Sequence, residues 1–132
     1  MLETNLNVRF NDCDSLGHVN NSVYFTYFEE ARKRLFQIFN HNLSIKSWNL
    51  IVASTNCYFL QEIGYAQKIK VYTWVSRIGK SSFDVEHSIE DENKNCIARG
   101  KAVLVNFNFE DKKSIPINNE IREELLKHIS LK

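Results

Sequence analysis

Apolar residues recur along this chain with two different periods, and the changes of period mark its elements. Leu6, Val8 and Phe10 alternate with Asn7 and Arg9, which predicts a short half-buried strand over residues 3–10. From Ser22 to Phe39 the period lengthens: Tyr24, Tyr27, Phe28, Ala31, Leu35, Ile38 and Phe39 recur at three and four, with Glu29, Glu30, Lys33, Arg34 and Gln37 filling the other side. That spacing predicts one helix, roughly 27 Å long at 1.5 Å per residue. Asn20 or Asn21 would cap its start, and Asn40 to Asn42 would stop it.

After Trp48 the period returns to two and stays there to about residue 109. Trp48 to Leu60 reads as a long strand with Leu50, Val52, Ser54, Asn56, Tyr58 and Leu60 on one face. Gln61 to Gln67, which contains Gly64, reads as a turn. In Lys68 to Ile78, Ile69, Val71, Thr73 and Val75 oppose Lys70, Tyr72, Trp74 and Ser76, and Arg77 to Lys80 form a tight connection. Ser82 to Glu90 sets Phe83, Val85, His87 and Ile89 against Asp84, Glu86 and Ser88. A polar hairpin turn, Asp91 to Asn95, leads into the last long strand, Cys96 to Phe109. Ala98, Gly100, Ala102 and Leu104 share one face of it, and such a row of small side chains lets another element approach closely. Beyond Pro116, Ile121, Leu125 and Ile129 predict a mostly polar terminal helix packed on the surface.

The order is strand, long helix, four strands joined by short turns, and terminal helix. Short turns favour antiparallel neighbours, so the expected class is α+β, with an antiparallel five-stranded sheet and one long helix beside it.

Composition narrows the function more than the fold. A chain of 132 residues is the size of one domain, expected to span 1–132, and 43% apolar residues supply its core. Lys and Arg number 17 against 16 acids, with the signs interspersed. That balance gives neither a nucleic-acid footprint nor a polybasic membrane segment. Cys13, Cys57 and Cys96 are odd in number and far apart, so they form neither a disulfide framework nor a zinc-type pair. A reducing, cytoplasmic setting is expected, because the start lacks a signal-peptide pattern and no window approaches the roughly 20 apolar residues of a membrane span.

The candidate chemistry is concentrated in Asn11 to Tyr24. This stretch holds Asp12, Cys13, Asp14, Gly17, His18, Asn20 and Asn21 directly before the helix. Polar groups crowded into a loop that feeds an apolar helix suit a working site. Read from spacing alone, Asp14 could simply brace the loop. Cys13 near His18 suggests a thiol nucleophile, but no strained-elbow pattern surrounds it. Asp12, Asp14 and His18 could ligate a metal, but no matching ligands stand elsewhere in the chain. His87, on an apolar strand face, reads as a core histidine.

From Asp12 to Glu29 the chain follows D-x-D-x-x-G-H-V-N-N-x-x-Y-x-x-Y-F-E. This closely resembles the signature of hotdog-fold acyl-CoA thioesterases of the 4-hydroxybenzoyl-CoA thioesterase-like branch. The likeness continues more loosely through Ile78 to Phe83 and Ala98 to Gly100. It departs at Leu60 to Ala66, where relatives often carry proline and Gly-Asp. The resemblance implies a sheet wrapped around a central helix, two subunits joined through one continuous sheet, and thioester hydrolysis at their boundary.

It also implies roles. Asp14 matches the catalytic carboxylate, as nucleophile or as general base on water. Backbone N–H groups at Val19, Asn20 and Asn21 would polarise the carbonyl, helped by the helix dipole. Gly17, His18 and Tyr24 would face substrate, with His18 balanced between lining the site and taking part in catalysis. Lys80 and Ser81 could meet coenzyme A phosphates. The expected partner is acyl-CoA or an acyl carrier protein, with no nucleic acid, membrane, metal or separate cofactor, in a homodimer or dimer of dimers. A non-catalytic module that binds an acyl thioester or a protein is the alternative.

Overall fold

The computed structural model describes residues 1–130, without the side chain of Ile45; the last two residues of the expected 1–132 domain lie outside that description. The elements run β1 (Leu2–Asn7), α1 (Asn21–Ala31), α2 (Lys33–Phe39), β2 (Leu50–Phe59), β3 (Lys68–Ile78), β4 (Ser82–Glu90), β5 (Cys96–Asn108), β6 (Lys113–Ser114) and α3 (Asn119–Leu126). Short 3-10 turns occupy Phe10–Asp12 and Ile45–Ser47.

The sheet is antiparallel in the order β1-β3-β4-β5-β2, and the two-residue β6 adds to β5. The five expected strands are all present, and β6 makes a sixth. Chain order and sheet order differ at one point. The segment after β2 is no hairpin: it carries the chain from the β2 edge, past the start of α1, to β3 beside the opposite edge. Ile63 anchors that crossing, fully buried in the core under α1.

Two expectations about periodicity need correction. Val52 pairs with Leu104 and Ser54 with Val103, so Ala53 is a bulge in β2. The bulge turns the strand over. Leu50, Val52, Cys57 and Phe59 share the helix-facing side, whereas Ser54, Asn56 and Tyr58 face outward with Arg99 and Lys101. The expected helix over 22–39 is interrupted at Arg32, whose N–H is shared between the carbonyls of Phe28 and Glu29, both at 3.1 Å. Helical bonding resumes at once, with Phe36 N–H on the Arg32 carbonyl at 3.0 Å.

Arg32 explains where the break falls. Its side chain is only 2% exposed, and Nη1 donates to Nε2 of buried His87 at 3.2 Å. Arginine offers donors only, so His87 must carry its hydrogen on Nδ1 and donate it to Thr73 Oγ1, 2.9 Å away. Thr73 and His87 each sit between apolar neighbours on their strands. The three residues form a polar layer between one apolar cluster under α1 and another under α2 and α3. Burial, and then the Arg32 charge, hold the His87 imidazole far below the usual histidine range. Burial lowers the Arg32 guanidinium to about 10. The expectation of a core histidine holds.

The row of small residues on β5 works as expected. A Cβ added at Gly100 would stand 2.3 Å from Phe28 Cε2, so the α1 aromatic lies directly on the glycine backbone. The Phe28 ring is stacked on His87 with centroids 4.7 Å apart and planes 7° from parallel. This contact seats α1 at a fixed height over the sheet.

Candidate active site

Three chain segments meet at the start of α1. The loop 11–20 runs beside the crossing segment 60–67, with Val19 N–H on Ile63 O at 2.8 Å and a bridge between His18 and Gly64. The end of β2 closes the third side, where the Tyr24 ring meets Phe59 edge-on at 4.9 Å. Between them lies a cleft of about 260 Å³ lined by Asp14, Leu16, His18, Val19, Asn21, Tyr24, Phe59, Leu60, Gln61 and Glu62. A larger hollow, about 520 Å³, opens on the outer sheet face beside Trp74 and Arg99, away from any helix start.

The loop is held from beneath by Asp12. Its buried carboxylate accepts the Arg9 backbone N–H at 2.9 Å, the Arg9 guanidinium at 3.0 Å and the Tyr27 hydroxyl at 2.8 Å. Burial pushes this carboxyl up, but those hydrogen bonds outweigh it and leave its pKa below the usual value. Asp12 is therefore a brace. Burial and the neighbouring Asp12 push the Tyr27 hydroxyl well above its ordinary range.

Asp14, two residues on, is exposed at the cleft. Its Oδ1 accepts Leu16 N–H at 2.9 Å, and its own N–H donates to His18 O at 2.8 Å. Oδ2 has no hydrogen-bond partner among the described residues and is free to meet a ligand. Gly17 adopts φ +79°, which serves the turn 14–17, and no protein atom lies within 4 Å of a Cβ placed there.

Of the three amides proposed to face a carbonyl, two are already engaged. Val19 N–H donates to Ile63 O, and Asn20 N–H donates to Asp12 O at 3.0 Å. Asn20 is the N-cap, its Oδ1 accepting Ser22 N–H at 3.0 Å. Asn21 N–H, the first amide of α1, has no acceptor among the described residues. His18 and Tyr24 line the cleft as expected. Tyr24 Oη donates to Gln61 O across a long 3.4 Å, and His18 Nε2 lies 3.2 Å from Glu62 Oε2.

Lys80 and Ser81 are not brought to this cleft. Their turn borders the far end of β5, where Ser82 pairs with Val105, whereas the cleft borders Phe59, which pairs with Ala98. Seven residues of strand put roughly 23 Å between those levels within one chain. Cys13 has its Sγ 3.7 Å from Arg9 O, and burial followed by Asp12 and Asp14 raises its thiol pKa, which opposes a thiolate nucleophile. Burial pushes Cys57, beneath Tyr24, up to about 11.

Two residues of consequence escaped the sequence reading. Arg32 follows Phe28 by one turn and precedes Leu35 by three residues, so a charge inside the apolar stripe was a visible signal. Glu62 gave none; only the crossing of the 60–67 segment brings it to His18.

The fold and sequence have known relatives. The chain is 32% identical over 122 residues to the uncharacterized protein YsmA of Bacillus subtilis (strain 168), covering 92% of this chain and 82% of that one. A predicted thioesterase from Bacillus stearothermophilus superposes with a TM-score of 0.95 at 31% identity, covering 99% and 98% of the two chains. A thioesterase from Thermus thermophilus, complexed with coenzyme A and Zn, superposes with a TM-score of 0.83 at 32% identity, covering 93% and 95%. Among the described residues no group of three or more His, Cys, Asp or Glu side chains could hold a metal ion, and no helix is long and apolar enough to cross a membrane. The model of the thioesterase-like superfamily matches residues 8–125, and with its hotdog sheet around the α1–α2 helical segment this chain belongs to that superfamily.

Proposed function

We propose that this protein hydrolyses an acyl-CoA thioester to a carboxylic acid and free CoA. The observation that carries the reading is the pairing, in one cleft, of an Asp14 oxygen with the first amide of α1, neither of which has a partner among the described residues. Asn21 N–H polarises the thioester carbonyl, and the helix dipole adds positive potential where oxyanion charge develops. Asp14 either attacks the carbonyl carbon and expels the CoA thiolate, giving a mixed anhydride that water then opens, or takes a proton from attacking water. The CoA complex of the Thermus relative supports a CoA-type substrate, and an acyl carrier protein would present the same thioester.

The β2 edge supports a dimer. This ten-residue strand has one side unpaired and is exposed over most of its length, including Ile51, Val52, Tyr58 and Phe59. A long apolar edge is unusual unless another strand covers it. Antiparallel pairing of β2 with a second copy would set the start of one β2 against the end of the other. The partner subunit's Lys80 and Ser81, near the start of its β2, would then approach the cleft of the first subunit. That arrangement gives the two residues a route to CoA phosphates that a single chain denies them.

The test is an acyl-CoA panel of short, long and aromatic chains, read by release of free thiol. Turnover is expected for at least one member, with Asp14→Asn folded and inactive. No thiol release from any acyl-CoA or acyl carrier protein would overturn the hydrolase reading.

A further inference from the structure

Both hydrolytic routes need a water beside the acyl carbon, either as the attacking group or to open the anhydride. Asp14 and the Asn21 amide account for the carboxylate and the carbonyl, and a single hydrogen bond to Asp14 leaves that water free to turn. His18 shares the cleft with both. Its imidazole faces the opposite loop, with Nε2 3.2 Å from Glu62 Oε2.

A carboxylate oxygen 3.2 Å away repels a bare ring lone pair, so its charge favours the tautomer with the hydrogen of His18 on Nε2. In the neutral ring Nδ1 is then left as an acceptor. The side chains are 41% and 76% exposed, and an ion pair this open contributes little stability. Its consequence is orientation. The supports on either side are firm: Val19 N–H binds Ile63 O, His18 bridges Gly64, and Gly64 N–H donates to Gln67 Oε1 at 3.1 Å.

We infer that Glu62 is a positioning residue that fixes the tautomer and direction of His18, and that His18 Nδ1 accepts a hydrogen bond from the hydrolytic water. This rests on the hydrolase reading given above. In the general-base route, one water proton goes to Asp14 as the water oxygen bonds to the acyl carbon. The C–S bond then breaks, and that proton passes to the thiolate sulfur. The second water proton, held toward His18, stays on the acid product and is lost to solvent. In the anhydride route Asp14 first displaces the CoA thiolate, which takes a proton from solvent. The same water then adds to the acyl carbon, Asp14 leaves as carboxylate, and the water proton is lost to solvent. No other reactant is needed.

The experiment joins imidazole ¹⁵N NMR with kinetics on the full chain. His18 should show the Nε2–H tautomer in the wild type. Glu62→Ala should lose it and Glu62→Gln, which still offers an accepting oxygen, should keep it. Glu62→Ala should lower kcat about tenfold with KM unchanged, as expected for loss of a group that orients an acid–base residue. Glu62→Gln should recover most of that rate, and Glu62→Ala should have no further effect in a His18→Gln background. An Nδ1–H tautomer in the wild type, or an equal Glu62→Ala loss in both backgrounds, would overturn the inference. Asp14-dependent turnover that is indifferent to Glu62 overturns it alone, whereas absence of all turnover overturns the hydrolase reading and this catalytic role with it.

Discussion

The Tyr27 hydroxyl donates to Asp12 Oδ2 at 2.8 Å, joining the second turn of α1 to the loop that carries Asp14. Both residues are buried, and the bond reaches across fifteen positions of sequence. The loop is therefore set by the helix it precedes, so the same helix supplies the Asn21 amide and fixes the height of the carboxylate opposite.

Tyr27→Phe should cost about 2 kcal/mol, the range for a buried hydrogen bond to a charged group. Urea unfolding measures that loss. The rate should fall as well, because the Asp14 loop slackens while Asp14 itself is untouched.

Gly100→Ala should destabilise by about 1–3 kcal/mol through overpacking against Phe28. The ring has little room to yield, since His87 is stacked on it. Gly100→Ala combined with Phe28→Leu should recover part of the loss in thermal melts.

Stability should fall with acid below about pH 6.5, the ordinary histidine value. The unfolded chain takes up a proton on His87 there, and the folded chain does not, because its folded pKa lies far lower. The contribution is complete above that pH and is lost at about 1.4 kcal/mol per unit as pH falls toward the folded pKa. His128 is lowered too, chiefly by burial, and adds in the same direction. Urea melts between pH 5 and 8 should show the slope, and His87→Gln should flatten most of it.

Lys80→Ala should raise KM for acyl-CoA with little change in kcat, and should leave an acyl-pantetheine substrate, which lacks the nucleotide phosphates, unaffected. Mixing Lys80→Ala and Asp14→Asn subunits should restore activity, because one site of the mixed dimer combines Asp14 from one chain with Lys80 from the other. A mixture no better than its components would place Lys80 outside the site.

Much of this was legible along the chain. The alternation in β3, β4 and β5 appears where it was expected, because antiparallel strands with one face on a core repeat every two residues. The small-residue row on β5 and the aromatic stripe of α1 were each visible, and they meet at Gly100 and Phe28. Periodicity misled at Ala53, since one bulged residue reverses every later side chain while leaving the alternation intact. It also passed through Arg32: the charge stood visibly inside the apolar stripe, but its burial depends on His87, fifty-five residues away.

The chain by itself determined the α+β class, the helix that organises it, and the loop whose motif places Asp14. These depend on local spacing and on side-chain types within a few turns. Tertiary structure decided which groups remain free to act. The crossing of 60–67 over the start of α1 uses the Val19 amide, the Asp12 loop uses the Asn20 amide, and Asn21 is left open. The same crossing brings Glu62 to His18, and the β4–β5 register holds Lys80 at the opposite end of the sheet. Such relations depend on distances between segments remote in sequence, and the order of strands in the sheet sets those distances.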